Sequence, residues 1–187
     1  MDAVSLFGWP LAAIAIILIV GAFQVFNRLI AARNACGNAR AGIDANLKKR
    51  HDLIPNLVSV VKGYTAHERD TLVLVTRARS EAISSIGTPN SPAVESVLTG
   101  ALFSLDARVE AYPELKASEQ FLNLQRTLTE IEEQISASRR AFNAHVMTMN
   151  NLVQQFPTLI VARLIGFAEM SFFEADERSR LSPSVQL

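Results

Sequence analysis

A single cysteine, Cys36, among 187 residues excludes a disulfide within the chain and a zinc site built on several thiolates. Histidine is almost as scarce, with His51, His67 and His145 the full set. The first two stand 16 residues apart, about 24 Å along a helix, too far to share an ion on one straight element. His67-Glu68 lacks the second histidine of a zinc-protease helix, and no Glu-x-x-His pair of the bundle metal sites occurs. Glycine and proline, 8 and 7 residues, are too few for a collagen-like or low-complexity chain. Net charge is zero, with 18 bases against 18 acids, so nothing electrostatic favours nucleic acid as a partner. A Gly-rich phosphate loop and a G-x-S-x-G elbow are both missing, which disfavours hydrolase and transferase chemistry. Catalytic residues, a metal and a cofactor are therefore not expected.

What the chain has instead is apolar content: 49% hydrophobic residues and a mean hydropathy of +0.20. It is concentrated at the start. Residues 3–27 carry no formal charge, and the stretch from Leu11 to Phe23 is wholly apolar or glycine. Residues 4–26 as a helix span roughly 34 Å, enough to cross a hydrocarbon core of about 30 Å. Trp9 suits the lipid–water boundary, and Pro10 fits a first helical turn, where its missing N–H costs nothing. A cleaved secretory signal would need a basic leading region, and the only early charge is Asp2. Lipoprotein processing at Cys36 would need an apolar lipobox, and Arg33-Asn34-Ala35 precedes it. A buried core helix would seldom be free of charge for so long. The run is read as a transmembrane helix over 4–27, with residues 1–3 outside, a helical domain over 28–174 and a polar tail over 175–187.

Orientation follows from the flanks. Residues 28–50 hold Arg28, Arg33, Arg40, Lys48, Lys49 and Arg50 against Asp44 alone, a local charge of +5. Cations stay on the cytoplasmic side during insertion, so the N-terminus is expected outside and the body in the cytoplasm. This basic collar also attracts anionic headgroups. From residue 51 onward, 12 bases face 16 acids, a net of −4.

Beyond the span the apolar positions step by three and four, a helical period. One stripe runs Val25, Leu29, Ala32, Cys36, Ala39, Ile43 and Leu47, and resumes at Ile54, Val58, Val61, Leu72, Val75, Ala82 and Ile86. Cys36 reads as a small buried hydrophobe on it. Pro55 either kinks this helix or opens a new one after a stop near Asp52, with the region 44–46 also able to cap. Asp52, Leu53, Ile54, Pro55 and Asn56 are the expected bend. Gly87 to Pro92 marks a turn, and a helix over roughly 92–111 places Val94, Val97, Leu98, Leu102, Leu105 and Val109 on one face. Pro113 ends it.

The longest alternation is Phe121, Leu124, Leu128, Ile131, Ile135, Ser138, Phe142, His145, Met149, Leu152 and Phe156, stopped by Pro157. This is a bundle or coiled-coil seam with Ser138 and His145 as polar exceptions. Leu124, Leu128, Ile131, Ile135 and Phe142 are the expected self-association seam. Glu130, Glu132 and Glu133 read as a solvated face. Residues 159–173 form an apolar, amphipathic segment. Arg28, Arg33, Arg40, Phe167, Phe172 and Phe173 are expected to touch membrane or a neighbouring molecule. The fold class is all-α, a transmembrane helix continuing into an antiparallel four-helix bundle.

The stretch 46–58, NLKKRHDLIPNLV, followed by Val61-Lys62-Gly63-Tyr64 and His67-Glu68, resembles the signature of the LemA family. The resemblance runs from about Arg28 to Glu174, through Ile131-Glu132, Arg139, Phe156-Pro157 and Gly166-Phe167. It departs at His51, where tyrosine is usual, and at Phe142-Asn143 and Met149-Asn150, where Tyr-Asn pairs are common. The resemblance implies a short outer N-terminus, one span in the bacterial inner membrane and a cytoplasmic four-helix body, with no established catalysis or cofactor. A relative acts in shaping magnetosome membranes, which implies a membrane-organising role by analogy. The expected partners are the lipid bilayer, further copies of the chain and, on a second reading, a cytoplasmic protein met by Asn56, His67 and Glu68.

Overall fold

The computed structural model describes residues 3–65 and 68–173, with side chains described from Trp9 onward. His67, the outermost N-terminal residues and the tail over 175–187 lie outside the described residues. All regular secondary structure among the described residues is helical: α1 (Ala3–Tyr64), α2 (Arg69–Ser85), α3 (Ser91–Val109), α4 (Pro113–Lys116), α5 (Glu119–Gln154) and α6 (Thr158–Leu164). Four are long, as expected of a four-helix body. The chain divides into two compact units, one of residues up to 40 together with 140–172, the other of residues 41–139 continuing at 173.

Helix α1 runs 62 residues without interruption. Its beginning is bare: Trp9 is 81% exposed, Ile17 69% and Phe23 65%, and each residue from Leu11 to Val20 is exposed. A helix with leucine and isoleucine on every side is stable only where something apolar surrounds it. Among the described residues nothing covers this stretch, and its length and composition suffice to cross a membrane.

Pro55 lies inside α1 rather than at the start of a new helix, so the stop weighed near Asp52 does not form. Proline has no N–H, which leaves the carbonyl of His51, four residues back, without its helical donor. Arg79 of α2 takes over: its Nε donates to the His51 carbonyl at 2.7 Å. Around the proline, Ile54 is buried, Leu53 half-buried, and Asp52, Pro55 and Asn56 are exposed. Asn46 caps nothing; its amide donates to Ser138 Oγ at 3.0 Å, which satisfies the polar serine on the α5 stripe.

The stripe from Ile54 to Ile86 is cut beside Gly63, a residue that weakens a helix interior by about 1 kcal/mol relative to alanine. Helix α1 closes at Tyr64, just after Gly63, and the Thr65 amide and hydroxyl both donate to the Val61 carbonyl, at 3.0 and 2.9 Å. The chain then returns as α2. No proline marks this turn, so apolar periodicity carried straight through it.

In the unit of residues 41–139, the core joins Ile54, Leu57 and Val61 of α1 with Leu72 and Val75 of α2, Leu98 and Leu105 of α3, Leu115 of α4 and Phe121 of α5. Leu124 and Leu128 pack against it, and Ile131 and Ile135 are 6% and 1% exposed. Phe142, in the other unit, is 3% exposed. Of the seam expected to join copies, Ile131, Ile135 and Phe142 are thus buried within one chain and Leu124 and Leu128 half-buried. On α3, Val97 is 54% exposed and off the packed face; the buried positions are Ser91, Glu95, Leu98, Ala101, Leu105 and Val109.

In the unit holding residues up to 40, Leu29 and Cys36 of α1 are buried, as are Phe142, Val146, Met149 and Val153 of α5 and Ala162 of α6. The α5 stripe departs from the expected register: His145 is exposed, Leu152 half-buried and Phe156 80% exposed. A four-residue step from Phe142 to Val146 replaces the expected three. A straight helix has 3.6 residues per turn, so a strict 3.5 repeat drifts off the contact line and one extra four-step restores it.

The Pro55–Arg79 pairing makes a specific prediction. Arg79→Met should destabilise the full chain by about 1–3 kcal/mol, the cost of a buried carbonyl left unpaired. In a Pro55→Ala background the alanine N–H can serve His51, and the same change should cost much less. Thermal unfolding in detergent, followed by circular dichroism, checks it; an equal loss in both backgrounds would remove the explanation.

Candidate functional site

Arg50 stands in the α1 stripe, three residues after Leu47 and four before Ile54, so the helix that buries those leucines and isoleucines must bury the arginine too. It is 2% exposed, and its neighbour His51 is 1% exposed. Arg50 thus does not belong to the exposed basic collar, where it was expected. Glu95 occupies the matching place on α3, between Ser91 and Leu98, and is 2% exposed.

These three meet. Arg50 Nη1 donates to both oxygens of Glu132 on α5, at 3.0 and 2.8 Å. Its Nη2 donates to Thr99 Oγ1 at 2.9 Å and to the Glu95 carbonyl at 3.4 Å. The Glu95 carboxylate stands 3.6 Å from Nη2 through Oε2 and 2.8 Å from His51 Nε2 through Oε1. A carboxylate only accepts, so His51 holds its proton on Nε2 in this contact. His51 Nδ1, Arg50 Nε and Glu95 Oε2 are buried without a hydrogen-bond partner. Glu132, expected on a solvated face, is 49% exposed and reaches inward to close the cluster. With Arg79 on the His51 carbonyl, the Arg50-His51 pair is tied to α2, α3 and α5. A cavity of about 230 Å³ adjoins it, lined by Arg50, Thr99, Asp106, Gln125, Leu128 and Glu132 among others.

A second cluster ties the start of α2 to the end of α3. Tyr112 donates its phenol to Glu68 Oε1 at 3.1 Å, Thr71 donates to Oε2 at 3.4 Å, and Arg108 Nε lies 4.0 Å from Oε2. Burial raises the Tyr112 phenol above its ordinary range, and the Glu68 carboxylate raises it further. Glu68, offered above as a recognition residue, is thus held within the chain, whereas Asn56 is exposed.

The residues expected to touch the membrane separate into two kinds. Arg28, Arg33 and Arg40 are exposed, as are Lys48 and Lys49. Phe172 is 52% exposed. Phe167 and Phe173 are half-buried under cations: the Arg33 guanidinium lies 5.9 Å from the Phe167 ring centre, and that of Arg139 lies 4.8 Å from Phe173. Cys36 is fully buried, and burial raises its thiol above the ordinary range. It is a protonated, packed hydrophobe at neutral pH. Among the described residues no three histidine, cysteine, aspartate or glutamate side chains gather as metal ligands would.

An uncovered apolar helix on a helical body organised by a buried ion cluster defines a membrane-associated bundle protein. The chain belongs to the LemA family, whose model matches residues 39–187. It is 29% identical over 157 residues to Protein LemA of Metamycoplasma hominis, covering 83% of this chain and 71% of that one. It is also 22% identical over 160 residues to Magnetosome protein MamQ of Magnetospirillum gryphiswaldense, covering 72% of this chain and 59% of the relative. Magnetosome protein MamQ 2 of Paramagnetospirillum magneticum matches over 161 residues at 22% identity, with the same shares of 72% and 59%. The family match spans Arg50, His51, Glu95, Thr99 and Glu132.

Breaking a buried ion pair leaves an uncompensated charge, whereas replacing both partners by hydrocarbon removes the problem. Glu95→Ala should cost about 3–5 kcal/mol, and Glu132→Ala, at a half-exposed partner screened by water, about 1 kcal/mol or less. Joint Arg50→Met and Glu95→Leu should be milder than Glu95→Ala alone. Unfolding of the full chain in detergent ranks the three; equal losses at Glu95 and Glu132 would show that burial does not set the hierarchy.

Proposed function

We propose that this chain is a single-pass, membrane-anchored structural protein that self-associates and organises or remodels the membrane holding it, without catalysis. The carrying observation is the exposed apolar beginning of α1, because the same helix goes on to bear Arg50 and His51 at the centre of the bundle. Anchor and body share one backbone. The cations from Arg28 to Lys49 favour an outer N-terminus and a cytoplasmic body in a bacterial inner membrane. The magnetosome proteins named above are in keeping with a role at membranes.

Self-association needs a surface other than the buried α5 seam, and α3 offers one. Between Ser91 and Leu105 its only charged residue is the buried Glu95, while Val97 and Phe103 are 54% and 70% exposed. A surface helix without exposed charge over four turns suits burial against another copy. The bend over Asp52 to Asn56 belongs to the same reading: proline removes one helical bond there, and Arg79 replaces it from α2. Full-length protein in mild detergent should form large homo-oligomers by light scattering, and a purely monomeric particle would refute self-association.

A second reading, a tethered adaptor, is favoured by a groove of about 760 Å³ between the end of α1 and α2. Val58, Leu72 and Val73 form its apolar part, and Lys62, Arg69 and Arg77 supply cations. Arg77 pairs with Glu81 at 3.0 Å, while Lys62 and Arg69 have no ion-pair partner among the described residues. An acidic, amphipathic protein segment fits that chemistry. Deleting residues 4–27 separates the readings: an adaptor should still capture its partner, whereas a membrane organiser should lose its effect.

A further inference from the structure

Helix α6 buries Thr158 and Ala162 and turns Ile160 and Leu164 outward, 52% and 81% exposed. Phe156, just before it, is 80% exposed. Three large apolar side chains thus stand uncovered within nine residues, on a segment the chain holds firmly. The Phe167 amide donates to the Ala162 carbonyl at 2.9 Å and the Gly166 amide to Arg163 at 3.3 Å. Those two bonds close the helix end in a Schellman turn, with Gly166 at φ 75 as its left-handed residue. Beyond it, Asn150 clamps Met170 from both sides: its amide donates to the Met170 carbonyl at 3.0 Å, and the Met170 amide donates to its oxygen at 2.9 Å.

The height of this segment along α1 is set by Arg33, whose guanidinium covers Phe167 at 5.9 Å. A cavity of about 370 Å³ is bounded jointly by Arg33, Met149, Ile165, Phe167 and Met170. Arg33 comes six residues after Asn27, the last uncharged residue of the apolar run, or about 9 Å along the axis. The headgroup layer on one side of a bilayer is itself about 5–8 Å thick. Leu164 belongs to the turn that Phe167 closes, so with residues 4–27 across the bilayer that turn stands near the outer edge of the headgroup layer, within reach of its own side chains. Exposed cations stand beside it: Arg163 precedes it in the chain, and Arg33 covers Phe167.

We infer that Phe156, Ile160 and Leu164 form a second membrane contact, a shallow wedge inserted into the headgroup–acyl boundary of an anionic leaflet on the side of the basic flank. The inference rests on the anchoring reading and extends it from a line through the bilayer to a footprint on its surface. The short, cation-bordered apolar face is the chemistry of interfacial segments. Charge complementarity with anionic headgroups selects lipid as the occupant. A wedge in one leaflet beside a span also supplies the asymmetry that bending a membrane requires.

The test uses full-length chains with Cys36→Ala, each carrying one environment-sensitive fluorophore at Ile160→Cys, Leu164→Cys, Ser84→Cys or Leu18→Cys; Ser84 is an exposed position near the end of α2. They are reconstituted in phosphatidylcholine vesicles containing phosphatidylglycerol. Probes at 160 and 164 should shift to the blue, lose quenching by aqueous iodide and gain quenching by lipids bearing a nitroxide near the headgroup, while 84 stays open to iodide. Iodide access at 160 and 164 equal to that at 84, with 18 protected by lipid, would overturn the wedge and leave the anchor standing. Iodide access at 18 would instead overturn the anchoring reading beneath it. Protection at 160 and 164 without nitroxide quenching would overturn lipid as the occupant and assign the face to another protein surface.

Discussion

A guanidinium at 2% exposure is the constraint on which the helical body turns. Arg50 cannot be deprotonated to escape burial, so the fold must bring acceptors to it. Thr99 and the Glu95 carbonyl arrive on α3 and Glu132 on α5, while His51 carries the contact to the Glu95 carboxylate. Buried ion pairs contribute little net stability against well-packed hydrocarbon, because desolvation offsets their attraction. Their leverage lies in the alternatives. Slide α1 by one turn, and Arg50 loses three acceptors while Glu95 loses its guanidinium and imidazole partners. Leucine and isoleucine at the same stripe would tolerate that slip far better, so the cluster selects one register among several hydrophobically acceptable ones.

Pro55 belongs to the same arrangement. It frees the His51 carbonyl, and a freed carbonyl in a buried helix needs a donor from outside. Arg79 can reach it only if α2 lies against α1 at that level, so the proline converts a local defect into a tertiary contact. Interior prolines usually weaken a helix by about 3 kcal/mol or more. Here the helix remains unbroken, and the loss is partly offset by a charge-assisted hydrogen bond between elements.

Much of this fold was legible in the sequence because apolar periodicity is a local signal. The uncharged run, the α3 boundaries and the α5 stripe as far as Phe142 follow from spacing alone. The cluster did not, although Arg50 occupies a stripe position between Leu47 and Ile54 and Glu95 another between Ser91 and Leu98. Arg50 reads as part of the exposed collar and Glu132 as part of a solvated face, and Glu95 carries no local signal, because the partners lie 44 to 82 residues apart, beyond any helical window. A charge standing where the period demands a hydrophobe was the available clue. The register change at Val146 was hidden for a different reason: 3.5 and 3.6 residues per turn differ too little to separate over one or two heptads. The turn after Tyr64 carries no proline, and Gly63 alone does not distinguish a tolerated glycine from the end of a helix.

The same features bear on what the body can do. A catalytic group needs an open face toward a substrate, yet the Arg50 guanidinium is covered and already engaged by two carboxylates and a threonine. His51 lies at 1% exposure with its proton directed at Glu95. Such a cluster positions helices. The groups left uncovered are of another kind: bare leucine, isoleucine and phenylalanine on α1, α3 and α6, with arginine and lysine beside those of α1 and α6. Under the proposed reading, these uncovered groups are the ones that meet lipid and other protein surfaces. One continuous helix carries both properties, because the stripe that buries Arg50 is the extension of the segment whose every face is apolar.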